Sequence, residues 1–152
     1  MRGILEHLHT SEALLTVTDM EAGVEHLKRG TLEHADVLLI VVEPYFKSLE
    51  AAGRVAELAR GLGVPALYAV ANKVRSERDE AAIRDYCAGH DLPVMAVVPF
   101  DGDVADAERD GVAVLDSAPH AVAVGRIRDL ADRLLAAPAP SSSTSVAESV
   151  AD

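Results

Sequence analysis

Val37–Val42 reads Val-Leu-Leu-Ile-Val-Val, six aliphatic side chains in succession between Asp36 and the turn-forming pair Glu43-Pro44. A strand with one face in water alternates apolar and polar residues. An unbroken aliphatic run therefore asks for cover on both faces, the condition of a central strand in a parallel sheet. The run is the longest of its kind in the chain, and it falls far short of the roughly 18 residues that a membrane-spanning helix needs.

Around it, short apolar runs alternate with amphipathic segments, the order expected of an α/β domain with a mainly parallel sheet. Residues 2–9 suit a short helix, and residues 13–18 suit a strand closed by Asp19. Within residues 48–62, Leu49, Ala52, Val55, Ala56, Ala59 and Leu62 recur at spacings of three and four, one face of a helix that Gly61 and Gly63 bring to a stop. Residues 65–70 predict the next strand. Ser76 and Asp79 have capping-box spacing and open a helix through Ile83, Tyr86 and Cys87 that ends near Gly89. Residues 93–98 predict a further buried strand, and residues 122–135 a final helix with Val124, Ile127, Leu130, Ala131 and Leu134 on one stripe.

A length of 152 residues suits one domain, and 49% apolar with 26% charged residues is ordinary for a packed protein. With 14 Lys and Arg against 25 Asp and Glu, the net charge of -11 repels phosphate backbones and anionic lipid, so neither nucleic acid nor membrane is an expected partner. Cys87 is the only cysteine. That excludes a disulfide or a cysteine-pair metal site within one chain, and the residue reads as a small packed side chain rather than a reactive thiol. Residues 1–9 lack the apolar stretch of a secretory signal, so a cytoplasmic location is expected. Residues 1–137 read as the domain. From 138 to 152 the composition turns to Pro, Ala, Ser and Thr, which buries too little apolar surface to offset chain entropy and predicts a disordered tail.

Ligands of open parallel sheets bind outside the carboxyl ends of the strands. The runs end in Asp19-Met20-Glu21-Ala22-Gly23, Glu43-Pro44, Asn72-Lys73-Val74 and Pro99-Phe100-Asp101. An acid in such a place can hold magnesium through water, an adjacent Ala-Gly lets backbone approach a phosphate, and the planar amide of Asn72 matches the paired edge of a purine. Each feature taken singly also reads as a helix cap or a turn. Four in order are the stronger signal. Other motifs carry less. Gly61-Leu62-Gly63-Val64-Pro65-Ala66 spells a dinucleotide fingerprint, but it follows a helix and precedes a strand, the reverse of the required context. His7 and His9 point to different sides of a helix, and His26 beside the acidic block reads as a solvated or capping histidine before it reads as a phosphate or metal contact. No serine has a nucleophile-elbow setting.

The order of Asp19-Met20-Glu21-Ala22-Gly23-Val24-Glu25-His26, Arg29-Gly30-Thr31, Val41-Val42-Glu43-Pro44, Asn72-Lys73-Val74, Pro99-Phe100-Asp101 and Ala107-Glu108-Arg109 resembles the later two-thirds of MinD/ParA-type P-loop ATPases. Within them it is most similar to the CooC-like branch, whose members assist nickel insertion during carbon monoxide dehydrogenase maturation. The resemblance runs over about residues 2–136 and is most specific over residues 19–31. It implies a partial P-loop NTPase fold of the SIMIBI type, a parallel sheet flanked by helices and lacking the P-loop strand. It implies magnesium binding by Asp19, a switch II role for Glu21 and Gly23, and adenine recognition by Asn72, with Lys73 beside it, and by the backbone of Pro99, Phe100 and Asp101.

Two features depart from the pattern. The lysines, Lys28, Lys47 and Lys73, follow Leu27, Phe46 and Asn72, so none stands in the Gly-Lys-Ser/Thr setting of a phosphate loop. The branch's nickel-associated Cys-x-Cys pair is absent as well. The front third of such a domain is therefore expected to be missing, either because the protein is short or because the sequence starts inside a longer reading frame. The strand missing from the sheet should leave an exposed or substituted edge beside Val37–Val42. Two functions are expected. One is an ATP-binding protein of this class, inactive alone, working with magnesium and serving as a maturation accessory to a metalloenzyme. It would act as a homodimer or with a partner chain that carries the phosphate loop. The other is a non-catalytic interaction module, a decayed ATPase domain that binds a homologous ATPase or a client enzyme.

Overall fold

The computed structural model describes residues 16–20, 32 and 35–136. Three parallel strands, β1 (Val37–Val42), β2 (Ala66–Val74) and β3 (Val94–Pro99), lie side by side in sequence order. Helices α1 (Phe46–Gly61) and α2 (Glu77–Ala88) make the two crossovers. After β3 come α3 (Gly102–Asp110), the single turn α4 (Val114–Ser117) and α5 (Val122–Ala136).

On one face of the sheet Ile40, Val42, Ala69, Ala71 and Val74 pack against Ala52 and Ala56 of α1 and Ile83 and Cys87 of α2, with Leu92 closing the end. The alanines of α1 let the helix sit close to the strands, and burial pushes the Cys87 thiol pKa above its ordinary value, which suits a packed side chain and not a nucleophile. On the other face Val70 and Val98 are covered by Ala123 and Leu130 of α5, with Leu39, Met95 and Leu134 at the margin.

The helix termini follow local chemistry. Ser76 caps α2 by accepting the Asp79 N–H at 3.2 Å, and the Asp79 carboxylate accepts the Arg75 N–H at 2.9 Å, one residue earlier than a reciprocal capping box would place it. Helix α1 closes in a Schellman turn, with Val64 N–H to Ala59 O at 3.1 Å and Gly63 N–H to Arg60 O at 3.0 Å, for which Gly63 takes φ 80°. Helix α2 stops where expected, ending at Ala88 with Gly89 as its C-cap; Gly89 stays right-handed, and the left-handed position falls on Asp91 at φ 51°.

Four further expectations are revised. Strand β2 runs on to Val74 instead of ending at residue 70, because a bulge carries the chain through Asn72 and Lys73. Helices α3 and α4 were not foreseen. Residues 16–18 have no regular structure, and the remainder of the expected strand at 13–18 lies outside the described residues, as do the helix expected at 2–9 and the tail at 138–152. Ile127, expected on the buried stripe of α5, is 53% exposed.

Where α1 meets α2 the space is filled completely. A Cβ at Gly53 would stand 2.9 Å from the Tyr86 hydroxyl and 3.0 Å from the His90 ring. That ring stacks on Tyr86 at 4.3 Å and is held by the Tyr86 carbonyl at 2.9 Å from Nδ1. Gly125, inside α5, has nothing within 4 Å of the equivalent point. We therefore expect Gly53→Ala to destabilise the fold by about 1–3 kcal/mol through overpacking, and Gly125→Ala to stabilise it by up to about 1 kcal/mol through helix propensity. Urea denaturation of the two variants checks the pair.

Candidate functional site

The carboxyl ends of β1, β2 and β3 form one rim, and three of the four expected loops meet there. β2 faces β3 in the register Ala71 to Val97 and then Val74 to Pro99, so Asn72 and Lys73 together oppose Val98. Two residues against one is a bulge, which is uncommon between parallel strands and re-aims the side chains it carries. Lys73 takes φ 54° to make it, a left-handed conformation that costs a residue with a Cβ about 1 kcal/mol or more. Its Nζ lies 3.1 Å from Glu43 Oε1, which ties the end of β2 to the end of β1. Glu43 is itself fixed, since its N–H donates to Ser48 Oγ at 2.9 Å. Asn72, half-buried, precedes Lys73 in the bulge.

The β3 side of the rim is joined to β2 by Phe100 N–H to Val74 O at 2.9 Å. The Arg75 guanidinium lies 3.5 Å from the centroid of the Phe100 ring, a cation–π contact across the same junction. Asn72-Lys73 and Pro99-Phe100-Asp101 are thus brought together as expected. Arg75 went unnoticed in the sequence, because its role depends on a ring that only the β2–β3 register brings under it.

Asp101 has a different part from a ligand contact. Its carboxylate accepts the Asp103 N–H at 3.0 Å, capping α3, and the Ala123 N–H at 3.1 Å, at the start of α5. Both oxygens are used by the protein, so only the backbone of this segment is left for a base. The Ala123 bond, with further backbone donors, holds the carboxyl pKa below its ordinary value of 3.8.

Asp19 is exposed. Its neighbour Met20 packs with Leu32, Ala59 and Val64, near the starts of β1 and β2 and the end of α1, which is the opposite end of the sheet. Glu21 and Gly23 lie outside the described residues. No group of three or more His, Cys, Asp or Glu able to hold a metal occurs among the described residues. Two depressions occur among the described residues: one of about 450 Å³ between α3 and the chain around His120, and one of about 590 Å³ along the outer side of β3 that reaches Val74 and Pro99 at the rim.

Comparison with known proteins sets this geometry in context. No family model matches the chain. The carbon monoxide dehydrogenase accessory protein CooC of Rhodospirillum rubrum is 37% identical over 137 residues, which are 90% of this chain and 49% of that protein. An uncharacterised ATP-binding protein of Methanocaldococcus jannaschii is 40% identical over 119 residues, 77% of this chain and 46% of that one. Among solved structures, MinD of Pyrococcus horikoshii in complex with Mg-ADP has a TM-score of 0.70 at 22% identity, over 88% of this chain and 54% of that one. The chain is a relative of the MinD/ParA-type P-loop ATPases, close to CooC. It has an α/β partial P-loop NTPase fold. The chain spans about half the length of the curated relatives it matches. No described helix is long and apolar enough to cross a membrane.

The lowered Asp101 pKa makes a test. A depressed native pKa adds stability that is complete above the unfolded-state value and is lost as pH falls through the native one. Thermal unfolding should therefore show the chain losing Tm more steeply below about pH 4 than Asp101→Asn does. Above that pH, Asp101→Asn should melt lower, because its amide nitrogen cannot accept one of the two backbone N–H groups that the carboxylate accepts. Parallel pH profiles of the two proteins would contradict the assignment.

Proposed function

We propose that the chain is the base-recognising part of an adenine-nucleotide site in an ATPase of the CooC-like class. The observation that carries this reading is the bulge that sets Asn72 and Lys73 beside Pro99, Phe100 and Asp101 on one rim. The half-buried Asn72 amide offers a donor and an acceptor to a purine edge, and the backbone of residues 99–101 offers the complementary side. Names of relatives that describe ATP binding support the choice of ligand.

The triphosphate is not served by this set of residues. Lys28, Lys47 and Lys73 all stand outside any Gly-Lys-Ser/Thr sequence, and Lys73 is engaged with Glu43. Phosphoryl transfer depends on positioning and charge neutralisation, so hydrolysis requires a phosphate loop beyond the residues of this rim. The likeness to a carbon monoxide dehydrogenase accessory protein supports a cytoplasmic maturation role beside a metalloenzyme client.

Calorimetric titration with ADP checks the reading. The chain should bind adenine nucleotide only feebly, with a dissociation constant of about a millimolar. Asn72→Ala should abolish the heat, and ATP turnover should stay at background. Turnover by the purified chain, or binding unchanged in Asn72→Ala, would refute it.

A further inference from the structure

Backbone groups can bond the edge of a base, but its face is flat and apolar and needs a flat partner. Phe100 stands where such a partner is required. Phenylalanine occurs only twice in the chain, at positions 46 and 100. Phe100 belongs to none of the buried clusters of the fold and is 38% exposed. Its backbone is fixed all the same. The N–H donates to Val74 O at 2.9 Å, Pro99 restricts the chain before it, and the Asp101 carboxylate caps α3 directly after it. The ring is therefore carried on a rigid loop and takes no part in the core.

Arg75 acts on this ring. Its N–H is held by the Asp79 carboxylate at 2.9 Å, and its guanidinium lies 3.5 Å from the centroid of the Phe100 ring. A planar cation at that distance covers one face of the ring only. It also alters the opposite face, because it attracts the π-electrons and so relieves the repulsion that a stacked purine meets there. The strand register sets the ring against Asn72. Asn72 opposes Val98 in the bulge, and Phe100 is two residues further on, about 7 Å along the strand.

We propose that Arg75 is a positioning residue of the base site: it holds the Phe100 ring as a platform on which the base stacks, and this platform restricts the rim to purines. The inference rests on the proposed function for the presence of a base and adds the contact to its face. Asn72 reads the edge, Phe100 receives the face, and Arg75 acts through Phe100 without touching the nucleotide. A two-ring base stacked on Phe100 extends far enough to present its edge to Asn72. A single ring falls short.

The test is fluorine NMR of the full chain labelled with 4-fluorophenylalanine and titrated with adenosine, ADP and CDP. Phe46, at the start of α1, supplies the internal control. The Phe100 signal should move upfield with adenosine and with ADP, while the Phe46 signal stays in place. Followed by the Asn72 amide, Phe100→Leu should raise the dissociation constant for ADP about tenfold and bring it level with that for CDP, at a Tm close to that of the unaltered chain. Phe100→Tyr should recover the binding that Phe100→Leu loses. Arg75→Gln should weaken ADP and adenosine by the same factor of about three, Arg75→Lys should restore most of the loss, and Arg75→Gln should change nothing further once Phe100 is Leu. Asn72-dependent binding of ADP that is indifferent to Phe100→Leu, or a larger loss for ADP than for adenosine in Arg75→Gln, would overturn the platform and leave the proposed function standing. No response to ADP, or binding that does not distinguish ADP from CDP, would overturn the nucleotide reading and the platform with it.

Discussion

Burial of the aliphatic strands between two helical layers is the constraint on which this protein depends. β1, β2 and β3 have few polar side chains with which to face water, so helices must lie over them. α1 and α2 do so on one side with a continuous seam of Ile40, Val42, Ala52, Ala56, Ala69, Ala71, Ile83 and Cys87. α5 does so on the other side over β2 and β3, with Leu39 of β1 at the margin. The crossovers that bring the helices into place also carry every strand in the same direction. That is why Glu43, Asn72 and Asp101, from three separate stretches of chain, finish at one end of the sheet.

At that end the rim is stiffened by contacts between loops. Glu43 reaches Lys73, Arg75 covers Phe100, and Asp101 joins α3 to α5. None is deeply buried, and a single exposed ion pair contributes at most about 1 kcal/mol. Their joint effect is positional: Glu43 holds the bulge at Lys73, Arg75 and Phe100 brace the β2–β3 junction, and Asp101 fixes the loop after β3. The left-handed Lys73 is a local cost kept at a prospective binding surface, where strained backbone is commonly found.

Much of this was legible in the sequence, for identifiable reasons. The bounds of β1, the Ser76 cap and the glycine stop of α1 each depend on near neighbours in the chain, and all are as expected, whereas the cover on both faces expected of β1 is incomplete among the described residues, with Val41 59% exposed. Features set by distant partners were not legible. Helix α3 escaped notice because it is short and charged and buries only Ala107, too little to leave a period. The length of β2 depends on its register with β3. Ile127 has the spacing of a core residue, but α5 has no layer beyond it on that side. For the candidate site, the grouping of Asn72 with residues 99–101 followed from strand order. The capping duty of Asp101 and the place of Arg75 needed coordinates.

The central claim is the proposed one, that Asn72 and the backbone of residues 99–101 receive the base of an adenine nucleotide at the rim. The most direct measurement of that claim is an amide NMR titration of the chain with ADP. The account predicts perturbations confined to Asn72, Lys73, Phe100 and Asp101, with none at Met95 or Arg133 along the outer side of β3 or around His120. Perturbations centred on either of those depressions, or no response at any ADP concentration up to about ten millimolar, would contradict it.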